Sequence, residues 1–195
     1  MVRQKKEAHA TIYYVLLIVV VAYLLSSIIN LRYSQILMSL ALIILISAGR
    51  IIRNNNHDYN HDNYELFLAI TMFLLAFFGE TLKLYSKISG YDWLMHLVGG
   101  LYLGVIFTLM INNKENRNNW IIKLLVMILI IGLLWEGAEF LADKNFNTMM
   151  QTSNLDTIMD LVMALIGGMI TFLVTLKDYK KKPIIRKKII VKRID

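Results

Sequence analysis

The chain has 195 residues, 57% of them hydrophobic, with 21 Lys and Arg against 14 Asp and Glu, a net charge of +7, one proline and no cysteine. This composition excludes a sizeable soluble domain beside the apolar runs and removes disulfides, thiolate metal sites and cysteine nucleophiles. It leaves one domain, because no Pro, Gly or Ser-rich linker divides it.

Roughly twenty apolar residues cross a hydrocarbon core of about 30 Å. That template fits about six times in chain order, over residues 11–29, 34–52, 64–85, 91–111, 120–140 and 155–176. The expected fold is all-α, a polytopic transmembrane helix bundle over residues 1–176, followed by a basic cytoplasmic tail at 177–195. Arg3, Lys5 and Lys6 resemble the basic start of a signal peptide. No small-residue cleavage site follows them, so the first span is read as a retained helix.

Short cytoplasmic loops carry the excess of Lys and Arg. With six spans both termini share one side, and of the 21 basic residues only Arg32, Lys83, Lys87 and Lys144 fall on the other. Both termini are therefore expected to be cytoplasmic, in a bacterial-type cytoplasmic (inner) membrane. Most of the surplus charge lies in the tail, directly after a span, which points to anionic phospholipid rather than nucleic acid as its partner. The pairs Ile184-Ile185 and Ile189-Ile190 suit the interface between those charges. The polar segment 54–63 holds His57, Asp58, His61 and Asp62, two histidines at a chelating spacing. Its asparagine density marks a flexible loop, and it is not counted as a site.

Acids recur near the ends of the later spans. Glu80 stands about five residues inside the end of the third, and Asp92 with His96 opens the fourth. Glu136 and Glu139 close the fifth, and Asp156 with Asp160 opens the sixth. Alternating spans put all four groups on one side of the membrane. Residues three or four apart share a helix face, so D-x-x-x-H, E-x-x-E and D-x-x-x-D can each point to a common centre, with Asp92, Glu139 and Asp156 at the rim and His96, Glu136 and Asp160 a turn deeper. Ionisable groups in apolar spans are costly and mark functional sites by default.

So many carboxylates repel unless something neutralises them. Lys83, Lys87 and Lys144 are too few, which leaves protons, as in a transporter relay, or a metal ion. Carboxylates with an imidazole suit manganese, magnesium, calcium or zinc, and without thiolates disfavour copper(I). Asp92 and Asp156 also suit helix N-caps, a role closed to His96, Glu136 and Asp160 inside their helices. Gly99, Gly100, Gly104, Gly137, Ala138, Gly167 and Gly168 flank the polar positions and let backbones approach. Trp93, Trp135, Tyr85 and Tyr91 suit an interfacial aromatic belt.

The stretches YDWLMHLVGG, LLWEGAEFLAD and QTSNLDTIMDLVMALIGG resemble the YjdF-type bacterial membrane proteins of the wider VanZ-like group, over roughly residues 80–168. The matching positions are Asp92, His96, Glu136, Glu139, Asp156 and Asp160. The resemblance implies no defined reaction for YjdF-type proteins, while VanZ-like members are associated with low-level resistance to teicoplanin-type glycopeptides. Where YjdF-type proteins tend to have Q-G-D before the last helix, this chain has Gln151, Thr152 and Ser153.

Three functions of different classes fit. The first is a divalent metal site at the outer leaflet, held by His96, Glu136, Asp160 and Asp92, with Glu139 or Asp156 as general base, hydrolysing or transferring a lipid or lipid-linked envelope molecule. The second is a small ion- or proton-coupled transporter using the same acids, against which stands their clustering at one face. The third is a non-catalytic envelope or resistance protein whose polar cluster locks helices together.

Overall fold

The computed structural model describes residues 2–55, 62–110, 117–151 and 153–179 and is helical throughout its regular structure. The helices are α1 (Val2–Ile29), α2 (Tyr33–Asn55), α3 (Asp62–Thr81), α4 (Leu84–Lys87), α5 (Tyr91–Met110), α6 (Arg117–Phe146) and α7 (Asn154–Tyr179). Five of them, α1, α2, α3, α6 and α7, are long and apolar enough to cross a membrane. The fourth expected span is α5, a 20-residue apolar helix enclosed by its neighbours.

Large apolar side chains on the outer faces stay exposed, among them Ile18, Leu134 and Leu155 at 67%, 69% and 68%. Such a surface is stable against lipid and unstable against water. The interior divides into two packed groups. One joins Tyr13, Val20, Leu42, Ile46, Met72 and Tyr102 from α1, α2, α3 and α5. The other joins Leu103, Trp120, Leu124, Ile128, Ala164 and Phe172 from α5, α6 and α7. Helix α5 supplies both groups and is the axis of the bundle.

Glycine brings α5 and α7 together. A Cβ on Gly100 would stand 2.0 Å from the Ala164 carbonyl oxygen, and one on Gly167 would stand 2.2 Å from that of Leu97. A turn further on, Thr171 packs against Gly104 and donates its hydroxyl to the Leu101 carbonyl at 3.1 Å. The small residues thus act as expected at Gly100, Gly104, Gly167 and Gly168. They do not at Gly99 and Gly137, where an added Cβ would meet nothing within 4 Å.

Helix limits correct several expected depths. The third span ends at Thr81 rather than Tyr85, because Lys83 takes a left-handed conformation (φ 55°) and the chain restarts as the one-turn α4. Glu80 is therefore the penultimate residue of its helix. Helix α6 runs six residues past Phe140, to Phe146, so Glu139 is not at the rim. At 1.5 Å per residue it lies about 10 Å inside the helix end. The aromatic belt also loses members. Tyr91 is buried and donates to the Leu75 carbonyl at 2.7 Å, with Tyr85 packed edge-on against it at 5.1 Å. The 56–61 part of the His/Asp segment and the tail beyond Tyr179 lie outside the described residues.

Candidate metal centre

Asp92 lies in the first turn of α5 and His96 one turn on, so both face α6 and α7 where the glycine contact draws α7 in. From α7, Asp160 stands one turn before Ala164, the residue against Gly100, which sets it opposite His96. From α6, Glu136 completes the group. His96 Nε2 lies 3.8 Å from Asp92 Oδ1, 3.7 Å from Glu136 Oε1 and 4.0 Å from Asp160 Oδ1. Ligand atoms of Asp92, His96 and Asp160 all fall within 4.8 Å of one another.

These spacings exceed hydrogen-bond range and approach those around a cation. Nitrogen and oxygen ligands about 2.1 Å from an ion stand about 3.4 Å apart at the tetrahedral angle, so each contact to His96 would need to shorten by roughly 0.3–0.6 Å. A second feature points the same way. Asp160 is 1% exposed and Glu136 4%, yet Asp160 Oδ1 and Glu136 Oε1 have no hydrogen-bond partner. Each buried acceptor left unmatched costs about 1–3 kcal/mol. Here both belong to carboxylates facing one imidazole.

The other oxygen of Glu136 is held. Gln151 Nε2 donates to Glu136 Oε2 at 3.3 Å and to Thr157 Oγ1 at 2.7 Å. Gln151 is fixed in turn by Asp143, whose Oδ2 accepts its backbone N–H at 2.9 Å. Asp143 Oδ1 accepts the Met150 N–H at 2.8 Å and the Thr148 hydroxyl. Neither Asp143 nor Gln151 was selected from sequence as a site residue. The bracket they form is a local side-chain-to-backbone turn, signalled only by an acid just before a short polar segment.

Glu139 is also buried, at 3% exposure, and bonds to Trp135, so that tryptophan positions an acid instead of serving a belt. Asp92, Glu136 and Asp160 all lie near enough to act electrostatically on Glu139. Asp156 sits in the first turn of α7 at intermediate exposure. The cap there is Ser153, whose Oγ accepts the Asp156 N–H at 3.2 Å, and not Asp156 as the sequence suggests. Glu80 stands apart from the ligand group and accepts the Ser34 hydroxyl at 3.2 Å and a bond from Gln35.

Outside the ligand group opens a hollow of about 580 Å³, lined by Glu80, Lys83, Tyr85, Asp92, Glu139, Thr148 and Asp156 among others. Burial and the neighbouring Asp92 push the Tyr85 hydroxyl well above its ordinary range, so it stays protonated.

At the opposite end lies a second buried acid, one that helical periodicity does not single out. Glu65 is 1% exposed and accepts the Tyr13 hydroxyl, while the Tyr102 hydroxyl donates to the Leu45 carbonyl at 3.1 Å. A Cβ on Gly49 would come within 2.5 Å of both Glu65 Oε1 and the Tyr102 oxygen. Arg50 lies over the Tyr13 ring at 5.5 Å. A single acid near a helix start, bonded to a tyrosine 52 residues away on another helix, leaves no periodic signal.

Fold and site together define a polytopic all-helical membrane protein with acids and a histidine buried between its helices. The chain belongs to the family described as "Predicted membrane protein (DUF2238)", whose profile matches residues 12–181. It is also similar to a Thermotoga maritima protein named "Uncharacterized protein", 29% identical over 118 residues. That likeness covers 57% of this chain and 60% of the relative's length. No solved structure matches the chain. The family agrees with the YjdF-type resemblance of the later spans.

Proposed function

We propose that this protein is a metal-dependent membrane enzyme acting on a lipid or lipid-linked envelope molecule. The observation that carries it is the convergence of Asp92, His96 and Asp160, with Glu136 beside His96 and two buried carboxylate oxygens unpartnered. Those four residues would hold the ion, through His96 Nε2 and one oxygen of each acid. A divalent ion there supplies Lewis acidity and a water of lowered pKa. Glu139 and Asp156, which line the hollow, would take and return the proton. Gln151 orients Glu136 so that the oxygen not bonded to the amide faces the histidine.

The distribution of Lys and Arg supports an orientation with both termini in the cytoplasm and the site at the outer leaflet. The basic tail would then rest on anionic phospholipid. The wider VanZ-like resemblance agrees with an envelope setting. The deciding measurement is the divalent metal content of gently extracted protein beside His96→Ala and Asp160→Asn. Stoichiometric metal in the wild type alone supports the reading, and a metal-free wild type that cannot be loaded overturns it.

A second reading, an ion- or proton-coupled transporter, is favoured by Glu65, a buried acid at the other end of α3. Fifteen residues separate Glu65 from Glu80, about 22 Å along the helix. Proteoliposome flux abolished by both Asp160→Asn and Glu65→Gln would replace the enzyme with this alternative.

A further inference from the structure

Beside the polar hollow runs a smaller, apolar cleft. It has a volume of about 110 Å³ and lies between α2 and α6 above the face of α5. Leu45, Gly99, Leu103, Ile131 and Gly132 line it, and it ends on Asp92 and His96. Asp92 therefore belongs to the walls of both the hollow and the cleft. We infer that the two form one binding path for an amphiphile, with its polar head in the hollow, the first carbons of one hydrocarbon chain in the cleft and the rest of that chain in the bilayer, and the bond between head and chain beside Asp92 and His96. This inference rests on the metal-centre reading and deepens it by locating the head and the chain of its lipid substrate.

Adjacent glycines show that the cleft is not a by-product of close packing. Gly100 has no room for a Cβ because α7 presses on it, whereas Gly99 faces open space. A small residue at 99 is thus not demanded by any neighbouring helix, and what it leaves is the floor of the cleft. Water is a poor occupant, since it needs two to four polar partners and the walls away from Asp92 and His96 are apolar. A partner helix about 10 Å across is too wide for a space of this volume. An acyl or isoprenoid chain is narrow, apolar and present throughout a bilayer. A wholly apolar molecule would leave the hollow with Glu80, Lys83, Glu139 and Asp156 unused, and a wholly polar one would leave the cleft empty.

The test uses the full chain in nanodiscs of phosphatidylglycerol, a small fraction of which carries a diazirine on one acyl chain. Irradiation followed by peptide mapping should place cross-links on Leu45, Leu103 or Ile131. Gly99→Leu fills the floor and should reduce those cross-links severalfold, leaving labelling of outward residues such as Ile18 and the metal content unchanged. Ala41→Leu, from the opposite wall, gives the same readout should Gly99→Leu fail to fold. Labelling confined to outward faces and indifferent to both variants overturns the inference. The metal measurement separates the two claims. A metal-free wild type with variant-sensitive cleft labelling removes the enzyme and keeps the amphiphile path, and a metal-loaded protein without it does the reverse.

Discussion

Asp143 holds Gln151 by its backbone: the carboxylate of one accepts the N–H of the other at 2.9 Å, and the amide so fixed reaches Glu136 at 3.3 Å. The chain of contacts connects the end of α6 to a ligand two turns earlier on the same helix, through a segment in which Asn147 and Met149 have positive φ of 53° and 55°. Left-handed non-glycine residues persist where the surroundings over-determine them, and Asp143 is what does so here. The departure from Q-G-D therefore leaves the glutamine's position in use.

Asp143→Ala should loosen residues 147–151 and weaken metal binding while leaving every ligand in place. Residues that orient ligands typically cost about 10–100-fold in metal affinity when lost. Isothermal titration with the metal, beside hydrogen exchange of the segment, checks both halves. Gln151→Ala should reproduce the affinity loss without the full rise in exchange, because Asp143 would still hold the backbone.

Gly100→Ala should destabilise the bundle by about 1–3 kcal/mol or more, as overpacking does where backbone cannot yield. The added Cβ would stand 2.0 Å from a carbonyl oxygen. Gly99→Ala, one residue away in open space, should be close to neutral or slightly stabilising for its helix. Thermal melts in detergent of the two variants distinguish a glycine required by α7 from one that is not.

Saturating divalent metal should raise the melting temperature of the wild type, since a ligand at 100 times its Kd stabilises by about 2.7 kcal/mol. Asp160→Asn should abolish that rise yet match or exceed the metal-free wild type, because it removes a buried charge whose Oδ1 lacks a hydrogen-bond partner. Affinity should fall as pH is lowered, because ligands must lose protons to bind. Melts with and without chelator across pH measure all three.

Gly49→Ala should strain the opposite end by forcing Glu65 and Tyr102 apart, lowering stability by about 1–3 kcal/mol. Metal content should not change, since no ligand is touched. Loss of metal in this variant would show that the two buried centres are coupled.

The sequence made the site legible where helical periodicity governs it. Asp92 pairs with His96, Glu136 with Glu139 and Asp156 with Asp160 at spacings of three and four, and counting in from the span ends puts His96, Glu136 and Asp160 at similar depth. Depth counting failed for Glu80 and Glu139, because the break at Lys83 and the extra turns of α6 depend on packing against neighbours. Asp143, Gln151 and Glu65 stayed hidden for a different reason. Their partners are backbone groups in a turn or side chains up to 52 residues away, and no periodicity encodes such meetings.

The tightest helix pair, α5 with α7, has all of α6 between its members in sequence; the Thr171 bond to Leu101 spans 70 residues. During synthesis, at roughly 5–20 residues per second, α5 therefore waits several seconds for the helix that covers it. Throughout that interval Asp92 and His96 lack Asp160, and the Gly100 groove lies open. Until α7 arrives, Asp92 and His96 on an otherwise apolar helix have only α6 to cover them, so the order of synthesis gives α6 a part in building this site.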